Sequence, residues 1–115
     1  GKITGRPVSS GSVVGIARVA FSVDEAAGLN LGEILVAPIT DVGWTPYFSL
    51  IAGLVTDVGS SVSHGAVIAR EYGLPAVVNT RVATQQIKTG DKIHLDADTG
   101  VVTILQTFDS LNNNL

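Results

Sequence analysis

Three short apolar runs constrain this chain more than any other feature: Ile34–Ala37 within "GEILVAP", Gly53–Thr56 in "GLVT", and "PAVV" at residues 75–78. Each is continuously hydrophobic, without alternating polar positions, and each is closed by glycine, proline or a Ser/Thr/Asp loop. Runs this short fall far below the ~20 residues that span a bilayer and read as buried strands. Helical patterns separate them. Residues 24–27 favour a short helix that breaks around Gly28 and Gly32. A loop over 40–46 leads to a short helix around 47–51. From Ser63 the pattern turns helical, with Val67, Arg70 and Glu71 dividing apolar from polar faces, and Gly73 before Pro75 supplies the stop.

The flanks read differently. "GSVVGIARVAFSV" is a strand with little polar face, Val14 and Ile16 on one side and Val13, Ala17 and Val19 on the other. A short helix over 82–88 and a turn at Gly90 lead to two strands joined by "DADTG", a hairpin. Strands alternate with helices in the middle and pair as neighbours at the ends, which predicts an α/β fold with a mixed sheet layered with helices. The 115 residues suit one domain, 1–115, with a core over 3–105 and a tail over 106–115. Neither "GKITGRPVSSG" nor "SLNNNL" carries the pattern of a packed element, so the chain is expected to be excised from a longer multidomain protein.

A charged content of 15% and a net charge of −3 argue against a nucleic-acid reader, and 45% hydrophobic residues argue against disorder. The absence of cysteine removes disulfides and thiolate metal sites and fits a reducing compartment, so a cytoplasmic location is expected, with no membrane partner.

Chemistry concentrates in "GSSVSHGA". His64 stands at the start of the third helical pattern, where unpaired N–H groups and the positive end of the dipole favour an anion. Ser60, Ser61 and Ser63 bring hydroxyls able to cap the helix or donate to phosphate oxygens, and Gly59 and Gly65 permit close backbone approach. A neutral imidazole can attack phosphorus with one nitrogen while the other keeps its proton, so one histidine suffices for a covalent phosphoryl carrier. The same residues also fit ordinary cap chemistry around a structural histidine. Arg70 and Glu71 are in range of a phosphate or a docking partner, and Trp44 beside Pro46 is either a docking aromatic or a core-edge residue.

Other motifs carry less. Ser63 and His64 are sequence neighbours with diverging side chains and make a poor nucleophile and base pair, so a hydrolase using Ser61 or Ser63 lacks its acid and oxyanion hole. "GRPVSSGS" lacks the Gly-Lys-Ser/Thr ending of a P-loop and reads as a turn; "DADTG" lacks the distal ligands of a calcium loop. His94, between Ile93 and Leu95, is expected to face solvent.

The run "GLVTDVGSSVSHGAVIAREYGLPAVV", with "GEILVAPITDVGWTP" before it and "ATQQIKTGDKIHLDADTGVVTIL" after it, resembles the phosphohistidine (mobile, or swivelling) domain of the phosphoenolpyruvate-utilising enzymes. The resemblance extends from about Ile3 to Leu105, and its "DVGWTP" and "SHGAVIAREYGLPAVV" segments are similar to the rifampicin phosphotransferase and phosphoenolpyruvate synthase branch. It implies a swivelling β/β/α domain. It also implies that His64 is the phosphorylated residue, with Thr56, Gly59 and Ser63 in its loop, Arg70 on the next helix and Thr40 positioning the imidazole. Two positions depart from the motif: Ser60 replaces a loop glycine, and Gly65 stands where alanine is common. The implied function is that of a phosphoryl-carrier domain in a phosphotransferase or dikinase, inactive alone. It would be charged at an ATP-grasp type nucleotide-binding domain, or from phosphoenolpyruvate, and discharge to an acceptor such as pyruvate or rifampicin at another domain. ATP and Mg²⁺ would bind the partner domain and no metal or cofactor this one. The alternative is a scaffold module that keeps the fold without carrying phosphate.

Overall fold

The computed structural model describes residues 1–112. Each apolar run is a strand: β4 (Ile34–Ala37), β5 (Gly53–Thr56) and β6 (Ala76–Val78), every residue buried. They lie side by side and parallel, Leu35 opposite Leu54 and Val55 opposite Val77. Burial on both faces is why these strands show no polar alternation.

β3 (Ser12–Val19) joins this parallel half to an antiparallel one. Its end runs parallel to β4 while its start pairs with β7 (Lys92–Asp96), which forms the expected hairpin with β8 (Val101–Gln106). Its apolar alternation is real, but Val14 and Ile16 are largely open to solvent. Both outermost strands come from the amino-terminal segment: β1 (Lys2–Thr4) pairs with β8 and β2 (Arg6–Pro7) with β6, giving the order β1-β8-β7-β3-β4-β5-β6-β2. Because only Gly5 separates β1 from β2, the sheet must curl until its two edges meet. A Cβ at Gly5 would lie 2.5 Å from the Val78 carbonyl oxygen, so this junction admits glycine alone.

Curling divides the core into two clusters. One is lined by Ile3, Ala17, Ile34, Val36, Val55, Val77, Ile93, Leu95 and Val102 and closed by Ala83 and Ile87. The other packs Leu35, Leu54 and Val78 against Trp44, Phe48, Ala66 and Ala69. The second cluster seats helix α2 (His64–Tyr72), which ends on Gly73 at φ +70°, its N–H donating to the Ala69 and Arg70 carbonyls.

Four expectations are corrected. The loop over 40–46 and helix around 47–51 are one 3-10 helix, Val42–Ser49, started by the Asp41 carboxylate accepting the Gly43 N–H and containing Pro46. The segment read as a turn contributes β2, and the amino terminus read as unpacked contributes β1 with Ile3 buried. The helices over 24–27 and 82–88 are shorter or shifted, α1 (Val23–Ala26) and α3 (Ala83–Gln86). The tail over 106–115 is partly structured: β8 runs to Gln106 and α4 covers Phe108–Asn112, its Phe108 N–H donating to Asp91 Oδ1; residues 113–115 lie outside the described region. The partners of β1, β2 and α4 come from distant segments that local patterning does not contain, whereas the 3-10 helix and α1 are set by near neighbours, Asp41 and Ser22.

Candidate functional site

The carboxyl ends of β4 and β5 release two loops on the α2 side of the sheet, and the imidazole of His64 sits where they meet. Ser63 is the extended residue before α2, and His64 is its first helical residue, half-buried. The loop after β4 places Thr40 Oγ1 3.0 Å from Nδ1; the 3-10 helix brings Thr45 Oγ1 3.1 Å from Nε2 and the Phe48 ring edge-on, 5.6 Å between centroids. A neutral imidazole has one N–H and one lone pair, so one hydroxyl accepts from the ring and the other donates to it. Thr40 is 5% exposed and Thr45 half-buried, so Nδ1 faces the interior and Nε2 the surface.

Gly65 makes this approach possible. A Cβ there would stand 2.9 Å from both Thr40 Oγ1 and Leu54 Cδ2, which explains glycine at the position after the histidine. In the loop ahead of α2, the serines bind one another and do not cap the helix. Ser63 Oγ donates to the Ser60 carbonyl at 2.8 Å and accepts the Ser60 N–H, while Ser60 Oγ accepts the Val62 N–H. Of the two uses open to these hydroxyls, capping α2 is not the one Ser63 makes, since its side chain forms no cap bond to the helix. Gly59, at φ +156°, is tightly packed: a Cβ there would lie 3.1 Å from Ser63 Oγ and 3.2 Å from Val78 Cβ.

Thr56 and Arg70 act on the loop and not on the ring. The buried Thr56 hydroxyl donates to the Val58 carbonyl. The Arg70 guanidinium donates to the carbonyls of Val8 at 2.9 Å and Ser61 at 2.6 Å, tying α2 to the amino-terminal segment and to the loop. Trp44, 4% exposed, is a core residue. His94 lies on the face of β7 opposite the buried Ile93 and Leu95 and is half-buried. "DADTG" is a hairpin turn. Sequence reasoning missed Thr45 and Phe48, whose relation to His64 exists only once residues 42–49 coil as a 3-10 helix.

Four hydrophobic residues near site positions in the sequence are exposed: Ile39 next to Thr40, Val58 next to Gly59, Val62 next to Ser63, and Val42 at the start of the 3-10 helix. Among the described residues no three His, Asp or Glu side chains are grouped to hold a metal ion, and no helix is long and apolar enough to cross a membrane.

Comparison with known proteins places these residues in context. The family described as "PEP-utilising enzyme, mobile domain" matches residues 29–100. The chain is 53% identical over 103 residues to a rifampicin phosphotransferase of Bacillus cereus and 42% identical over 101 residues to a phosphoenolpyruvate synthase of Aeropyrum pernix, matches covering 90% and 87% of this chain. It spans 12% of the length of each of these relatives. A solution structure of an Enzyme I protein superposes over 74% of this chain and 35% of its own, with a TM-score of 0.60 and 29% identity.

Proposed function

The chain belongs to the PEP-utilising enzyme mobile-domain family, and from that premise we propose that it is the phosphoryl-carrying domain of a multidomain phosphotransferase, with His64 the transiently phosphorylated residue. The observation that carries this reading is an imidazole fixed on both nitrogens by hydroxyls, one buried and one at the surface, at the start of α2. The surface nitrogen, Nε2, is the nucleophile: its lone pair forms the N–P bond as the bond from phosphorus to the leaving group breaks. Nδ1 keeps a proton and donates it to Thr40 Oγ1, so the ring stays neutral apart from the phosphoryl charge. In the second step an acceptor oxygen attacks phosphorus and Nε2 leaves with its electron pair.

The unpaired N–H groups at the start of α2 and the loop over residues 59–63 favour the negative charge that arrives. Two-step transfer requires the imidazole to reach two places, and a small rigid domain that swivels between a charging and a discharging site meets that need. The exposed apolar residues of the loops that carry the site, Ile39, Val42, Val58 and Val62, suit transient docking in which water is excluded from a hydrolysable phosphohistidine. Within this reading an ATP-grasp type nucleotide-binding domain holds ATP and Mg²⁺, or phosphoenolpyruvate is the donor. The acceptor, rifampicin or pyruvate by analogy with the relatives' names, binds a further domain.

The test is intact mass after incubation with the matching nucleotide-binding domain, ATP and Mg²⁺, beside His64→Ala and an acid-treated aliquot. One phosphoryl adduct, about 80 Da, that is acid-labile and absent from the variant is expected. No adduct, with the partner active on another carrier, would favour a scaffold that keeps the fold.

A further inference from the structure

We propose that Thr45 is a positioning residue that latches His64 in an unreactive tautomer until the domain docks. This rests on the carrier reading and concerns the same ring. Thr40 is 5% exposed, and among the described residues its hydroxyl has no partner other than Nδ1. If Nδ1 carried the ring proton in the resting chain, Thr40 Oγ1 would accept it and its own buried O–H would be left without an acceptor among the described residues, a cost that a bond donated to Nδ1 avoids. Thr40 therefore donates to Nδ1, and Nε2 carries the proton and donates it to Thr45 Oγ1, whose half-buried hydroxyl still reaches water. The nitrogen that must attack is thus the protonated one at rest. Phe48 packs edge-on against the ring held in these two contacts.

Reaction requires the proton to change sides. Nδ1 takes a proton from water to give imidazolium, Nε2 releases one to water, and the ring ends with the single proton it began with. Thr40 then turns to accept from Nδ1–H. Thr45 opposes this exchange by accepting from Nε2–H, so a partner that draws Thr45 aside, or offers a better acceptor, starts the transfer. Thr45 sits on the 3-10 helix beside the exposed Val42, where a docking partner would press.

The 115-residue chain, ¹⁵N-labelled on histidine, tests this through the ring nitrogen shifts, the water exchange of the ring proton, and labelling by phosphoramidate. In that reaction the N–P bond to Nε2 forms as the P–N bond breaks, its electron pair leaving with ammonia. We expect the parent to carry its proton on Nε2. Thr45→Val should lose protection of that proton about tenfold and label about two- to tenfold faster, the effect of one hydrogen bond. Thr45→Ser, which keeps the hydroxyl, should match the parent. A parent spectrum with the proton on Nδ1, or a Thr45→Val variant equal to the parent in both exchange and labelling, overturns the latch. If His64 is labelled neither in the parent nor in Thr45→Val, the carrier reading fails instead, and the spectra and exchange rates still decide the role of Thr45.

Discussion

Gly65 and Thr40, one residue past the histidine and twenty-odd residues before it, share a space that holds only one side chain: a Cβ on Gly65 would lie 2.9 Å from Thr40 Oγ1. Two effects compete in Gly65→Ala. Helix propensity favours alanine by about 1 kcal/mol, and overpacking against Thr40 and Leu54 costs about 1–3 kcal/mol. Overpacking is expected to prevail because the Cβ would meet two side chains at once, Thr40 and the fully buried Leu54. We expect a lower melting temperature together with a shift of the His64 Nδ1 resonance. A destabilised variant with an unmoved Nδ1 signal would mean that Leu54 yields and Thr40 stays.

Asp91 fastens the carboxyl-terminal segment. It is 2% exposed; one carboxylate oxygen accepts the Lys88 N–H and the other the Phe108 N–H, both near 2.9 Å. Asn offers one acceptor for these two donors and turns an N–H₂ toward the second. Asp91→Asn is expected to cost about 1–3 kcal/mol in urea unfolding. Hydrogen exchange at the Phe108 amide should quicken well beyond that at β7, since the freed segment opens locally.

Acid titrates the hairpin at Asp96. Its carboxyl is held below the ordinary range, first by the Thr99 hydroxyl, against desolvation that acts in the opposite sense, then by the backbone N–H groups of Asp98 and Thr99 and by His94. A carboxyl depressed in the folded state adds stability that is fully present above its unfolded pKa and is lost as pH falls through the folded one. Thr99→Val should raise the Asp96 pKa toward the ordinary value and move that loss to higher pH. Side-chain carboxyl shifts followed by NMR measure it directly, and an unchanged midpoint would remove Thr99 as the principal cause.

How much of this was legible in the sequence depended on where each interaction has its partner. Ile34–Ala37 and Gly53–Thr56 emerge at their sequence boundaries because burial on both faces writes itself into consecutive residues. Gly73 ends α2 for a reason equally local, the left-handed backbone. β1 and β2 were invisible because nothing near Gly5 records that β8 and β6 will be its neighbours. Residues 42–49 misled because Pro46 suggests a break, although a 3-10 helix accommodates it. The imidazole and Thr40 were visible through resemblance to the family motif. Thr45 was not, since its hydroxyl meets Nε2 only after that helix has formed.

Arg70 shows what a motif residue does when its local reading is replaced by geometry. A charge on the helix after the histidine invites the reading of a phosphate ligand, yet its guanidinium spans two backbone carbonyls, Val8 and Ser61. Those bonds join three segments: the chain leaving β2, the loop before the histidine, and α2 itself. Lys carries the charge but has no planar fork and cannot hold both carbonyls in this geometry. Arg70→Lys and Arg70→Met are therefore expected to behave alike, each losing about 1–2 kcal/mol, with charge-assisted bonds discounted for solvent exposure. Limited proteolysis should find new cleavage at residues 59–63 in both. If Arg70 bound phosphate through its charge, Lys would retain phosphoryl labelling while Met lost it, and that separation between the two variants would displace the clamp in favour of a direct ligand.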